Sequence, residues 1–129
     1  MSSNIGDILW QDLTVNNADD VAEFYQQVVG WQKKPVSMGE YDDHGMMVGD
    51  TMKAGVCHAK GSNAGMPPQW LMYVAVADLD NSIATAQRLG GELIVPERAM
   101  GKDRMAVIAD PAGAVLALYQ VASSDNTNA

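Results

Sequence analysis

Two stretches of the sequence decide the fold: "WQDLTVNNADDVAEFYQQVVGW" at residues 10–31 and "YVAVADLDNSIATAQRLGGELIVP" at residues 73–96. In each, a β-rich run reaches Asn or Asp, a segment with helical periodicity follows, and glycine ends it. An offset of 61 residues aligns the two stretches without a gap, so that Asn17 meets Asp78 and Gly30 meets Gly91. Because the inferred elements also coincide, the chain is predicted to repeat one structural unit.

Three short strand candidates follow each predicted helix. They lie at about 31–37, 43–49 and 53–60 in the first half, and at 91–97, 103–110 and 114–121 in the second. The last pair is joined by a predicted tight turn, in which Pro111 presets one dihedral angle and Gly113 lets the backbone reverse. The order is therefore βαβββ twice: module 1 (8–60), a Gly/Pro-rich linker (61–68), module 2 (69–121) and a frayed polar tail (122–129).

Composition narrows the class of protein. With 129 residues and 47% hydrophobic content, the chain has the size and makeup of one globular domain. Its net charge of −8 argues against a nucleic-acid partner, which would need a basic face. A single cysteine excludes an intrachain disulfide, and we find neither a signal peptide nor a run of membrane-spanning length, so we expect a cytoplasmic protein with no membrane partner.

The two opening stretches, together with "RMAVIADPAGAVLALYQ" at residues 104–120, resemble the vicinal oxygen chelate superfamily. This superfamily comprises the glyoxalases, bleomycin resistance proteins and extradiol dioxygenases. The resemblance covers about residues 8–121 and implies an α+β fold in which the curved mixed sheets of two tandem βαβββ modules form a cleft. It also implies a homodimer, in which a partner would cover open sheet edges.

The resemblance further implies where a divalent metal would bind in metal-using members, through His on the first strands and Glu on the last. Seven residues before Asn17 and Asp78, the chain has Trp10 and Leu71. Seven residues after Asp110 it has Ala117, and the 61-residue offset gives Val56 as the counterpart in module 1. None of these four side chains can coordinate a cation, so no metal is predicted. The sequence also contains no phosphate loop and no dinucleotide fingerprint, so we expect no other cofactor.

Strand alternation adds the residues two positions further along each strand to the same predicted face. We therefore expect the following side chains to bind a ligand: Trp10, Asp12, Val56, His58, Leu71, Tyr73, Ala117 and Tyr119. Leu13, Val15, Val74 and Val76 are expected on the opposite face, against the helices. Cys57 is likewise predicted to face the helix as an inert thiol, and His44 to lie in an exposed turn.

These patterns leave three functions open. The first is a metal-free protein that binds a small, largely apolar or cationic molecule. The second is a glyoxalase-like lyase or dioxygenase-type enzyme, which could act without metal through His58 and Asp12 as catalytic candidates. The third is a module that mainly contacts another protein. The ligand and any reaction stay undetermined, because one scaffold supports many chemistries.

Overall fold

The computed structural model describes residues 4–122, which form two compact units. One unit spans residues 10–71, and the other combines the chain up to residue 9 with residues from 72 onward. Module 1 consists of β1 (Ile8–Val15), α1 (Ala18–Val29), β2 (Gln32–Ser37), β3 (Asp42–Val48) and β4 (Thr51–His58). Its strands lie in the order β2-β3-β4-β1, with β1 parallel to β4 and the remaining pairs antiparallel.

Module 2 repeats this order. It consists of β5 (Leu71–Ala75), α2 (Leu79–Arg88), β6 (Glu92–Met100), β7 (Asp103–Ala109) and β8 (Val115–Gln120). Its strands lie in the order β5-β8-β7-β6, with β5 parallel to β8. The predicted α+β fold of two βαβββ modules with mixed sheets is confirmed, and most element bounds fall within two residues of those predicted.

Each helix packs on one face of its own sheet. Ala18 and Ala22 of α1 are fully buried against Met46, Ala54 and Val56. Small residues at these two positions let the helix backbone approach the strands closely. Leu79 of α2 packs in the same way against Ala106 and Leu118. Each module therefore has its own apolar core between helix and sheet.

The helix ends partly follow the sequence signals. Asp78 caps α2, since its side chain accepts a hydrogen bond from the Asn81 amide at 3.1 Å. Asn17 precedes α1 without a side-chain capping bond. Gly30 ends α1 with a φ of 93°, a backbone conformation that residues with a Cβ adopt at a cost.

The predicted turn between β7 and β8 is confirmed. The Asp110 carboxylate accepts hydrogen bonds from the backbone amides of Ala112 at 2.8 Å and Ala114 at 3.0 Å. Gly113 has a φ of 90° and donates to the Asp110 carbonyl at 2.8 Å. The turn is therefore held by the side chain of its first residue as well as by its backbone.

Residues 61–63, within the predicted linker, form a short 3-10 turn. Of the predicted tail, residues 123–129 lie outside the described residues. Neither helix in the described part of the chain is long and apolar enough to cross a membrane.

Candidate functional site

The two faces of the module 1 sheet are fixed by strand pairing. Leu13 on β1 lies opposite Val56 on β4, and Val56 belongs to the core under α1. Because alternate residues share a face, His58 also faces α1, whereas Cys57 lies on the other side. The sequence-based assignment is therefore wrong for β4: Val56 and His58 were expected to face away from the helix, and Cys57 towards it.

The error comes from a one-residue difference in spacing between the two modules, which also differ in loop lengths and β-bulges. Val56 follows its β1 neighbour Leu13 by 43 residues, whereas Leu118 follows its β5 neighbour Val74 by 44. The register shifts at Met46/Met47 in module 1 and at two points along β6 in module 2. A difference of one residue reverses every face assignment beyond it, so the gapless 61-residue offset fails at the last strand of module 1.

Trp10 and Asp12 do lie on the predicted face, opposite α1. The indole Nε1 of Trp10 donates to Asp12 Oδ2 at 3.3 Å. A Cβ added to Gly55 would come within 3.3 Å of both side chains, so Gly55 leaves them room. Burial raises the pKa of the Cys57 thiol on this face, and the nearby carboxylates of Asp12 and Asp43 raise it further.

Tyr73, Ala117 and Tyr119 lie on the face of the module 2 sheet opposite α2, as predicted. Tyr73 pairs with Ala117, and its ring centroid is 6.3 Å from that of Tyr119. Alternation along β5 places Leu71 on the same side as Tyr73. The Tyr119 hydroxyl donates to Asp103 Oδ2 at 2.6 Å, and burial, reinforced by that carboxylate, raises the Tyr119 pKa to about 12. The Asp103 pKa is lowered in turn, mainly by this hydrogen bond.

The residues at the family's metal positions do not fit a metal. Trp10, Leu71 and Ala117 offer no ligand atom, and the observed register replaces Val56 with Gly55 on that face. Carbon-only side chains, an indole and a glycine cannot hold a divalent ion. The ligand-binding role predicted for the eight residues remains a prediction.

A second, unpredicted group of side chains surrounds His58 on the helix side of module 1. His58 Nε2 lies 3.2 Å from Asp19 Oδ1, and His44 Nε2 lies 2.8 Å from the same oxygen. His58 is only 7% exposed, and its Nδ1 has no hydrogen-bond partner among residues 4–122. One carboxylate oxygen thus brings together two imidazoles, one of them almost fully buried.

Three elements of module 1 position these groups. Asp19 lies in the first turn of α1, where a carboxylate favours the positive end of the helix dipole. His44 pairs with Val56 across β3 and β4, so it faces α1. The backbone amide of His58 donates to the buried carboxylate of Asp43 at 2.8 Å, which fixes the end of β4.

An open cleft of about 490 Å³ surrounds the two imidazoles. Lys33 lies 2.9 Å from Glu23, and the Lys60 ammonium lies 4.7 Å from the centre of the Tyr41 ring. The cleft therefore presents acids, bases and an aromatic face together. It is lined by Asp19, Lys33, Pro35, Tyr41, Asp42, His44, His58 and Lys60.

The electrostatics of the cleft centre on Asp19. The hydrogen bond from His44 lowers the pKa of the Asp19 carboxyl, and the charge of His58 lowers it further. The carboxylate is therefore ionised at neutral pH and can orient both rings by accepting their Nε2 hydrogens. Such an arrangement can bind an oxygen-rich ligand or accept a proton from one.

Asp19 is not among the site residues predicted from the sequence, and the exposed turn predicted for His44 is wrong, since His44 lies within β3. The predicted strand at 43–49 already contained His44, and alternation with the buried Met46 would have placed it on the helix face. Asp19 lies 25 residues from His44 and 39 from His58 in the chain. Their proximity depends on how α1 packs across the sheet.

Sequence comparison relates the chain to known proteins. A family model described as "Glyoxalase-like domain" matches residues 11–119. The chain is similar to "Putative glyoxylase CFP32" of Mycobacterium tuberculosis, with 28% identity over 118 residues, covering 91% of this chain and 45% of that protein. It is also similar to "Anthracycline biosynthesis protein DnrV" of Streptomyces peucetius, with 32% identity over 125 residues, covering 86% of this chain and 46% of that protein. The chain thus spans about half the length of these curated relatives.

Solved structures show the same fold. A glyoxalase/bleomycin resistance protein/dioxygenase superfamily member from Vibrio splendidus 12B01 matches with a TM-score of 0.56 and 10% identity, over 87% of this chain and 97% of that one. Methylmalonyl-CoA epimerase from Mycobacterium tuberculosis matches with a TM-score of 0.55 and 15% identity, over 95% and 93%. At these identities the likeness concerns the fold alone. Together with the family match, it confirms the resemblance found in the sequence.

Proposed function

This chain belongs to the glyoxalase-like domain family, within the vicinal oxygen chelate superfamily, and on that premise we propose that it binds a small polar molecule in the cleft around His58. The observation that carries the proposal is the convergence of two imidazoles on one carboxylate at a cleft of about 490 Å³. Ligand pockets commonly have volumes of roughly 300–1,000 Å³ and a few convergent polar groups.

The chemistry of the lining favours a ligand with oxygen functions. The Lys60 ammonium can donate hydrogen bonds to a carboxylate or an enolate, and Tyr41 offers an aromatic face beside it. The sequence predicted a largely apolar or cationic ligand, and this lining is more polar than such a ligand would require. We propose a small oxygen-bearing acid or its enol form as the ligand class.

We also propose that no metal binds at the family's usual positions. This rests on the absence of ligand atoms at Trp10, Gly55, Leu71 and Ala117 rather than on any property of the cleft around His58. We also propose a cytoplasmic location, which the single cysteine supports, and a homodimer, in which a partner would cover the open sheet edges.

An acid–base enzyme is the second candidate function. His58 and Asp12 cannot act as the pair predicted from the sequence, because they lie on opposite faces of the sheet. Asp19 supplies a carboxylate instead, 3.2 Å from His58 and 2.8 Å from His44. A carboxylate that orients an imidazole is the usual arrangement for a general base. Acid–base chemistry would therefore use Asp19 with the imidazoles rather than the pair predicted from the sequence.

A thermal-shift screen of small carboxylates, keto acids and phenols tests the proposal. A compound that binds only the native state raises the melting temperature, by an amount that grows with the logarithm of its concentration relative to Kd. For any such compound we expect His44→Gln to weaken binding roughly 5- to 150-fold, corresponding to about 1–3 kcal/mol for one lost buried hydrogen bond.

Tyr73→Phe is the matched control, since it removes one polar atom from the face of the module 2 sheet predicted from the sequence. It should leave the affinity for the same compound unchanged. Loss of binding in Tyr73→Phe with full binding in His44→Gln would place the ligand on the originally predicted face and reject the cleft around His58.

A further inference from the structure

We propose that Asp19, His44 and His58 form a site for a divalent transition-metal ion, separate from the positions that the family resemblance implies. One ligand atom from each residue lies within 4.8 Å of the other two. Two imidazoles and one carboxylate are a donor set that zinc, cobalt and ferrous iron accept. The proposal does not depend on a small molecule binding in the same cleft.

The donor atoms lie near the spacing that a bound metal ion requires. Asp19 Oδ1 lies 2.8 Å and 3.2 Å from the two Nε2 atoms, which is hydrogen-bond spacing. Four tetrahedral ligands about 2.0–2.1 Å from zinc lie roughly 3.3–3.4 Å from one another. The two oxygen–nitrogen distances therefore need to lengthen by about half an ångström at most, and the two imidazole nitrogens must reach the same spacing from a separation of no more than 4.8 Å. The Asp19 side chain is 76% exposed, so it is free to make that adjustment.

The burial of His58 suits a metal-binding side chain better than one that forms only an ion pair. The His58 side chain is only 9% exposed and reaches the cleft from the end of β4, and its second ring nitrogen has no hydrogen-bond partner among the described residues. A buried ring is already largely desolvated and fixed in position, so Nε2 gives up little solvation or side-chain freedom when it binds a metal. A metal held by three protein donors would keep one coordination position open towards the cleft.

Module 2 shows that the fold does not need imidazoles here. Asp80 occupies the same place in the first turn of α2, 61 residues after Asp19, and pairs with Arg104 at 2.9 Å. At the end of β8, Gln120 accepts a hydrogen bond from the Leu79 amide at 2.6 Å. A guanidinium stays protonated and offers no lone pair, so this arrangement anchors the helix without creating a metal site. Only module 1 places three metal-binding donors there.

The lysines of the cleft do not prevent a cation from binding. The Lys33 ammonium lies 2.9 Å from Glu23, so its charge is largely offset. Lys60 lies over the Tyr41 ring, and Asp42 adds a further negative charge to the lining. The charges lining the cleft, with Glu23 included, sum to slightly negative when both imidazoles are neutral.

Titration of the untagged, chelator-treated protein with Zn²⁺ alone by calorimetry, and with Co²⁺ by visible absorption, tests this site. We expect one equivalent of metal per chain and a Co²⁺ spectrum typical of four- or five-coordinate nitrogen and oxygen ligands. Asp19→Asn and His44→Gln should each weaken Zn²⁺ binding roughly 10- to 100-fold or more. Asp80→Asn, the matched change in module 2, should leave it unchanged.

Three results would overturn the site: no saturable binding of either metal, binding unchanged in both Asp19→Asn and His44→Gln, or an equal loss in Asp80→Asn. Circular dichroism of each variant separates lost binding from lost folding, and Asp19→Asn changes an exposed side chain. The titration uses metal alone, so a negative result would reject the metal site without rejecting the small-molecule proposal. Conversely, a small molecule that binds in the presence of chelator would support only the small-molecule proposal.

Discussion

Truncation of Val56 tests which face of the module 1 sheet lies under α1, and therefore where His58 points. Val56 is fully buried and packs with Ala18, Ala22, Met46 and Ala54. Val56→Ala removes two buried carbons, worth about 1.6 kcal/mol in transfer free energy at about 0.8 kcal/mol each. An unrelaxed cavity of about 50 Å³ would add roughly 1.2 kcal/mol. We expect a loss of about 1.5–3 kcal/mol in the free energy of unfolding.

Val48→Ala is the matched control, because it makes the same chemical change in a strand at a residue that is 53% exposed. Any difference in β-propensity between valine and alanine applies to both variants. The control should therefore lose no more than about 0.5 kcal/mol.

Urea unfolding followed by tryptophan fluorescence measures the difference. All three tryptophans, Trp10, Trp31 and Trp70, lie within residues 10–71, so their emission reports on the unit that contains Val56. Equal, small losses in Val56→Ala and Val48→Ala would show that Val56 does not lie in the core. The assignment of His58 to the helix face of the sheet would then be wrong as well.

Three further predictions concern the remaining features. Cys57 should react with a disulfide reagent at pH 8 far more slowly than free cysteine, because burial and two carboxylates raise its pKa; a rate equal to that of the urea-unfolded chain would contradict this. Tyr119 should ionise only near pH 12, and Tyr119→Phe should remove that step from the ultraviolet titration. Since its folded-state pKa is raised, the stability it contributes is fully present below pH 10 and disappears as the pH rises through 12; a titration unchanged by the substitution would refute the assignment. Sedimentation at tens of micromolar should give a dimer of 13.8 kDa chains. A monomer would contradict the expectation that a partner chain covers the open sheet edges.

Local signals predicted the elements well. Helical periodicity, an Asp cap and terminal glycines located α2 between Asp78 and Gly90, and the Asp110 turn located β8. These features depend on residues within one turn of helix or one hairpin, so the sequence displays them directly. The helix under the first sheet was located equally well, although Asn17 does not cap it with its side chain.

Face assignments were correct where a strand was counted from a signal beside it, and wrong where the count was carried from one module to the other. Counting back from the following helix placed Trp10, Asp12 and Tyr73 correctly, and counting on from the adjacent turn did the same for the residues of β8. Val56 and His58 were placed on the wrong face because a one-residue difference accumulates before β4. Bulges follow from sheet twist and packing and leave no dependable pattern in a single sequence.

The group around His58 could not have been found from local patterns. Asp19 is a polar residue in the first turn of a helix, and His44 lies in an acidic, turn-like stretch, so each has an ordinary explanation alone. Their meeting with His58 depends on the packing of α1 across β3 and β4. Contacts between residues so far apart in the chain are properties of tertiary structure.

Binding of a small molecule in the cleft around His58 is tested most directly by nitrogen-15 NMR of the imidazole rings. The chain contains two histidines, His44 and His58, and both line this cleft, so the spectrum of the unmutated, untagged protein reports on nothing else. A carboxylate or keto acid identified by its melting-temperature shift should move the resonances of both rings with the same apparent Kd. Saturable binding of that compound with both imidazole spectra unchanged would place the ligand elsewhere and contradict the proposed site.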